Sequence, residues 1–481
     1  MLFNSAEFLI FFPIVVALFF ALPQRYRWVL LLAASYYFYI AWKAEYVVLI
    51  MLSTLVDYFA GRQMAQIADR SRRKKYLILS LGIHLSILFA FKYFNFFSDS
   101  LRALFTSLEL TYPVPVFRAL LPVGISFYTF KSLSYIIDIY RGIKQPETHL
   151  GIFALYVSFF PQLISGPIDR SERMIPQLKR AQFWDWARIG EGLRRMGWGY
   201  FKKLVIADRL AVLVNTVYDS PGDFTGVPLI LATYFFAFQI YCDFSGYSDI
   251  AIGAARVMGY DLTENFQRPY FSRSIGEFWR RWHITLSTWF RDYLYIPLGG
   301  NRVSDGRKAA NLMIVFLVSG LWHGAAWTFV IWGGLHGLYL VTSQATARWR
   351  AGLAERLHLA RFSRLTGALS LLITFHLVTF AWIFFRANSL GDALYIAGHL
   401  FTGLELQAGY GFGLGLYDLA IVLLAILVME GSHLFEHRTG AVWTYLRSWP
   451  RWLRWATDYA LIFAVLLFGR MGVTEFIYFQ F

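Results

Sequence analysis

A single cysteine, Cys242, is present in the 481 residues, which excludes an internal disulfide and any cysteine-rich metal site. Charge is scarce as well: Asp, Glu, Lys and Arg make up 16% of the chain, against 57% hydrophobic and 19% aromatic residues. That balance lies far from a water-soluble domain of this length. The signatures of soluble catalysts are also missing. No histidine is followed five positions later by Asp, no G-x-S-x-G elbow occurs and no Gly-rich loop could cradle phosphate, so nucleophilic serine chemistry has no local support. The i, i+4 pair His433 and His437 falls in an expected loop without a cysteine partner, and no metal site is expected. Absence of an internal repeat counts against a transporter built from inverted repeats.

What the chain does have is apolar length. Its mean hydropathy is +0.47, and roughly ten to twelve stretches approach the length needed to cross a hydrocarbon core of about 30 Å. The expected fold is therefore all-α, a polytopic transmembrane protein with re-entrant elements, organised as one transmembrane domain over 1–481. Its net charge of +15 comes from 45 basic against 30 acidic residues, and the basic ones cluster in loops between apolar spans. That is positive-inside bias with lipid as the partner, and it argues against nucleic-acid binding.

The basic clusters order the spans. The N-terminal run has Glu7 and no basic residue ahead of it, while Arg25 and Arg27 follow; an uncleaved first span with its N-terminus outside is expected. Arg62 to Lys75 mark a second inside loop, and 98–117 an outside one. The apolar stretch 150–168 has basic flanks on both sides, which predicts a re-entrant or interfacial element. Residues 259–308 interleave seven arginines with aromatic residues and should lie along the inner membrane face. Asn311–Thr342 is too long for one crossing and has basic residues at both ends, so a hairpin bent at SGLWHGAA is expected, with Gly320 and Gly324 permitting a break that places His323 within the membrane. Loop 387–415 should be outside, 416–430 should return to a basic loop from Arg438 to Arg454, and the chain should end outside.

Among ten histidines, location discriminates. His149, His358, His433 and His437 sit in expected loops; His84, His376 and His399 lie in or near apolar spans without neighbouring polar clusters, as packing residues. A neutral His323 in a dry aromatic site could act as general base on an acceptor hydroxyl attacking a thioester carbonyl, or could simply pack against a backbone carbonyl. His283, beside Arg280 and Arg281, could assist it or be an interfacial surface residue. Arg273, Arg280, Arg281 and Arg291 could grip the phosphates of a nucleotide-bearing thioester, or anchor an amphipathic segment to lipid headgroups. Asp243, Ser245, Ser248 and Asp249 interrupt an apolar span and should face a cavity or a partner. A proton or ion route through them keeps a transporter in play.

The segments EFWRRWHITLSTWFRDYLYIPLGGNR (Glu277–Arg302) and SGLWHGAAWTFVIWGGLHG (Ser319–Gly337) resemble the membrane-bound O-acyltransferase family, in particular its bacterial alginate O-acetyltransferase branch. LPVGISFYTFKSLSYIIDIYRG, FFPQLISGPIDR, YCDFSGYSDIAIG, ENFQRPYFSRSI and the C-terminal FIYFQF extend the resemblance over most of the chain. It implies that the W-H-G histidine, His323, is catalytic and that His283 matches the assisting polar residue upstream. It also implies helices around a central tunnel, and Asp243, Ser245, Asp249 and Trp322 are the residues expected to line it. No bound cofactor is implied; acetyl-CoA is the expected co-substrate. The implied activity is O-acetylation of an exported polysaccharide from the bacterial inner membrane, with periplasmic acetyltransferase partners. Transfer of D-alanine to a cell-envelope polymer, a transporter, and a scaffold without acyl chemistry are the alternatives.

Overall fold

The structure, a computed structural model, describes residues 1–117, 122–404, 413–439, 448–470 and 476–477. Expectations resting on Leu121, on parts of the loop 387–415 and of the basic stretch from Arg438 to Arg454, and on most of FIYFQF lie outside the described residues. The described chain is helical, with no strand among those residues. A helix satisfies its own N–H and C=O groups, which a backbone shielded from water must do.

Packing gathers the chain into two compact units, Met1–Met196 with Ile250–Thr263, and Gly197–Asp249 with Glu264–Phe481. In the first, α1 (Ala6–Ala21), α2 (Gln24–Ile40), α3 (Val47–Gln66), α4 (Arg70–Leu88), α5 (Phe94–Ser107), α6 (Ile125–Arg141), α7 (Leu150–Ser158), α8 (Phe160–Leu163) and α9 (Ser171–Lys179) follow in order, then most of α10 (Trp186–Tyr200). The stretch 150–168 is broken at Phe159 into α7 and α8 and is almost wholly buried, so no single helix spans it.

The second unit holds α11 (Asp208–Tyr218), most of α12 (Val227–Met258), α13 (Ile275–Arg281), α14 (Ile284–Phe290), α15 (Asp305–His323), α16 (Trp327–Ala345), α17 (Ala347–Arg356), α18 (Ser363–Arg386), α19 (Leu390–His399), α20 (Leu416–Thr439) and α21 (Arg451–Phe468). Among the described residues, five helices are long and apolar enough to cross a membrane: Ala44–Gln66, Arg70–Ser107, Val227–Met258, Ser363–Arg386 and Leu416–Glu436.

The bend expected at SGLWHGAA is present. Helix α15 ends at His323, Gly324 and Ala326 are extended, and α16 starts at Trp327 and packs back on α15. Glycine sets how closely the two approach: a Cβ on Gly320 would lie 2.2 Å from the Phe329 carbonyl oxygen, and one on Gly333 2.2 Å from that of Phe316. Small residues thus bring two backbones together, as at helix crossings in membranes.

Three histidine expectations need correction. His84 is no lone packing residue: its Nε2 lies 2.9 Å from Asp57 Oδ2, and Ser80 Oγ donates to Asp57 Oδ1 at 2.6 Å. Its partner comes from the neighbouring helix α3, which local sequence does not reveal. His433 and His437 lie on α20, since Glu430 and Gly431 do not stop that helix. His433 is buried, 3.3 Å from the Tyr241 hydroxyl.

Replacing Asp57 by Ala would strand two buried polar groups on α4. We expect it to cost about 2–3 kcal/mol and to lower the thermal midpoint of the protein in detergent, whereas Ser80→Ala should cost less. An unchanged midpoint for Asp57→Ala would show that the cluster does not tie α3 to α4.

Candidate active site

His323 is the last residue of α15 and is 3% exposed. Its ring sits in an aromatic shell, edge-on to Trp322 at 4.7 Å, Trp332 at 4.9 Å and Phe385 at 5.4 Å between centroids. The helix break after it supplies the position: a residue deep inside an uninterrupted helix would face its neighbours with fixed backbone on both sides, whereas the extended Gly324–Ala326 link ends the hydrogen-bond ladder beside this ring.

His283 lies 6.4 Å from His323 between ring centroids. The interfacial reading of His283 fails, because it is completely buried, edge-on to Phe244 at 4.7 Å and 6.0 Å from Trp322. The part of segment 259–308 around His283 differs from a helix resting on the membrane face: Phe278, Trp279, Trp282, Leu286, Trp289 and Phe290 are buried inside the second unit. Its apolar periodicity reports a protein-facing surface. Burial pushes the His283 imidazolium down to about 3, so this ring is neutral at physiological pH.

Backbone geometry holds His283 in place. It is the N-cap of α14 in the left-handed region, φ 43° and ψ 54°, a conformation that a non-glycine residue keeps only when its surroundings impose it. Asn265 is the restraint. Its Oδ1 accepts from Thr285 N at 3.3 Å and Thr285 Oγ1 at 2.9 Å, its carbonyl accepts from Ile284 N at 2.9 Å, and its Nδ2 donates to Ser248 Oγ at 3.4 Å. Nothing in the sequence around Asn265 singles it out; only its burial beside the strained residue does.

The polar interruptions of α12 resolve into ion pairs. Asp243 meets Lys203 at 2.6 Å, Lys203 also meets Asp208 at 2.9 Å, and Lys202 meets Asp249 at 2.5 Å and Ser245 Oγ at 2.9 Å. Asp243 Oδ2 in addition accepts from Ile477 N at 2.8 Å, and Phe476 packs on Phe244 at 5.7 Å, the ring that touches His283. Both lysines sit in a π-helical stretch, Phe201–Ala207. Their sequence signal, two adjacent lysines ahead of an apolar run, looks the same as a basic flank.

The arginines do not converge on the histidines. Arg281 pairs with Glu277 at 2.7 Å and Arg291 with Asp292 at 2.8 Å, while Arg273, Arg280 and Arg291 are exposed. They form the outer, cationic side of the segment whose inner side carries His283.

The profile of the membrane-bound O-acyltransferase family matches residues 144–385, which include both histidines. A probable alginate O-acetylase of Pseudomonas putida is 43% identical over 405 residues, 84% of this chain and 80% of its own length. The corresponding protein of Pseudomonas aeruginosa is 43% identical over 394 residues, 81% of this chain and 73% of its own. A peptidoglycan O-acetyltransferase of Helicobacter pylori is 36% identical over 428 residues, 82% of this chain and 78% of its own. With its long apolar helices, its buried histidine pair and these relatives, the chain is a multi-pass membrane protein that belongs to the membrane-bound O-acyltransferase family and is an O-acyltransferase.

Proposed function

We propose that this enzyme takes an acetyl group from a cytoplasmic thioester, acetyl-CoA, and carries it across the bacterial inner membrane for O-acetylation of an exported polysaccharide such as alginate. The observation that carries the reading is the pair His323 and His283, buried side by side in aromatic rings inside the region that matches the family. The acceptors named for the relatives, alginate and peptidoglycan, are both cell-envelope polysaccharides with free hydroxyls, which supports that acceptor class.

In this mechanism neutral His323 accepts the proton of the acceptor hydroxyl as its oxygen attacks the thioester carbonyl carbon. The new C–O bond forms, the C–S bond breaks, and the imidazolium returns its proton to the departing thiolate. A dry aromatic surround favours a neutral base at the outset. His283, neutral as well, orients either the donor carbonyl or His323. Exposed Arg273, Arg280 and Arg291, with Arg281, recruit the phosphates of the donor. The lysine pairing of Asp243 and Asp249 supports acyl transfer over an ion route, because the charges such a route would use are already taken up. The five long helices, α1 and the α15–α16 pair make eight crossings, and a total of ten to twelve takes further short apolar helices, with Trp322, Ser245 and the paired aspartates near the passage to His323. Periplasmic acetyltransferases that act on the same polysaccharide are the expected partners.

Three outcomes test the reading. His323→Ala should lower acetyl transfer from acetyl-CoA at least 10²- to 10⁴-fold, the range for loss of a general base, with the amount of membrane protein unchanged; normal transfer would end it. Asn265→Ala frees the turn that holds His283, and kcat should drop about tenfold or more with KM for acetyl-CoA nearly constant. A matching rise in KM with kcat intact would instead make Asn265 part of donor binding. The third concerns pH. Because the folded pKa of His283, about 3, lies below its usual value near 6.5, its contribution to stability is complete above pH 6.5 and is lost as pH falls towards 3. Thermal midpoints measured at pH 7 and pH 4.5 should therefore diverge less in His283→Asn than in the parent, and equal divergence would contradict a buried neutral ring.

A further inference from the structure

The mechanism above leaves unused Trp332, which packs against His323, and His336, which packs against Trp332. Helix α16 carries Trp332 and His336 one turn apart on the same face, both with no exposed surface. Trp332 meets His323 at 4.9 Å and His336 at 5.1 Å between ring centroids, close to perpendicular in each case. His336 Nδ1 accepts from Trp279 Nε1 at 3.3 Å, which leaves the proton of the neutral imidazole on Nε2. Neither His336 Nε2 nor Trp332 Nε1 has an acceptor among the described residues.

Leaving a buried N–H without an acceptor is costly, and native proteins keep such groups where a ligand or an ordered water meets them. Here two of them lie on one helix face, Trp332 against the general base and His336 against Trp332. Their complement is an oxygen that can only accept.

We propose that the Trp332 indole N–H and the His336 Nε2–H hold the carbonyl oxygen of the acyl group in transfer and stabilise the negative charge it gains. The assignment rests on His323 acting as base. When the acceptor oxygen bonds to the carbonyl carbon, the π pair of the C=O moves onto oxygen and its charge grows. When the adduct collapses, the C=O reforms, the C–S bond breaks and the thiolate takes the proton that His323 removed from the hydroxyl. Donors fixed in a dry surround act most strongly at the stage of full charge, so they raise kcat more than they tighten binding.

The test uses the full-length protein in detergent with acetyl-CoA as donor and an alginate oligosaccharide as acceptor. Trp332→Phe keeps a ring but deletes the donor; His336→Phe deletes the other; His336→Gln can accept from Trp279 and still donate. Trp332→Phe and His336→Phe should each lower kcat about 10²-fold with KM for acetyl-CoA within about twofold, and His336→Gln should recover at least about tenfold over His336→Phe. Full kcat in Trp332→Phe, or a loss that follows the thermal midpoint alone and is not rescued by His336→Gln, overturns the assignment. His323→Ala separates the two readings. If it is inactive while Trp332→Phe runs at the parental rate, only the donor assignment fails; if it is active, the base fails and the donors with it.

Discussion

Two imidazoles, His323 and His283, are buried close together in one aromatic shell, and much of the second unit packs around them. His323 reaches its place because a helix stops beneath it; His283 reaches its place because a short turn is forced into a left-handed conformation. Both solutions exploit the same fact: a side chain at a helix end is freer to be aimed than one inside a regular ladder. Aromatic rings then do the shielding. Trp322, Trp332, Phe385 and Phe244 surround the pair with apolar edges that exclude water and contribute few competing acceptors. For an acyl thioester, exclusion of water matters chemically, since water is the competing nucleophile.

Charge is handled by local neutralisation. In each unit the charges buried in the apolar interior occur in bonded sets: Asp57 with His84 and Ser80, Lys202 and Lys203 with three aspartates and Ser245. A lone charge there would be far more costly than the pair. The lysine pairs also reach the histidine pair indirectly. Asp243, fixed by Lys203, holds the backbone of Ile477, and the adjacent Phe476 supports Phe244, which backs His283.

Much of this was legible in the sequence, and the parts that were not share a cause. The helical class, the hairpin at Gly324 and the burial of His323 follow from apolar length, paired basic flanks and a glycine-bounded W-H-G, all local signals. The surroundings of His283 were not legible, because apolar periodicity in an arginine-rich segment fits a lipid-facing and a protein-facing helix equally well. Asn265 meets Ser248 and Thr285, 17 and 20 positions away, and the lysines meet Asp243, Ser245 and Asp249, 40 to 47 positions away, and His84 owes its partner to the neighbouring helix; periodicity carries no information about such contacts. The end of α20 is not legible either, because Glu430 and Gly431 interrupt hydropathy without interrupting the helix.

The central claim is that one buried histidine serves a donor on one side of the membrane and an acceptor on the other. The most direct measurement places the protein in sealed vesicles of uniform orientation, with labelled acetyl-CoA confined to the cytoplasmic side and a polysaccharide acceptor confined to the opposite side. The account predicts label on the acceptor, in vesicles that remain sealed, and none when His323 is replaced. Label that accumulates only on the side of the donor, or that crosses equally well without the histidine, would contradict it.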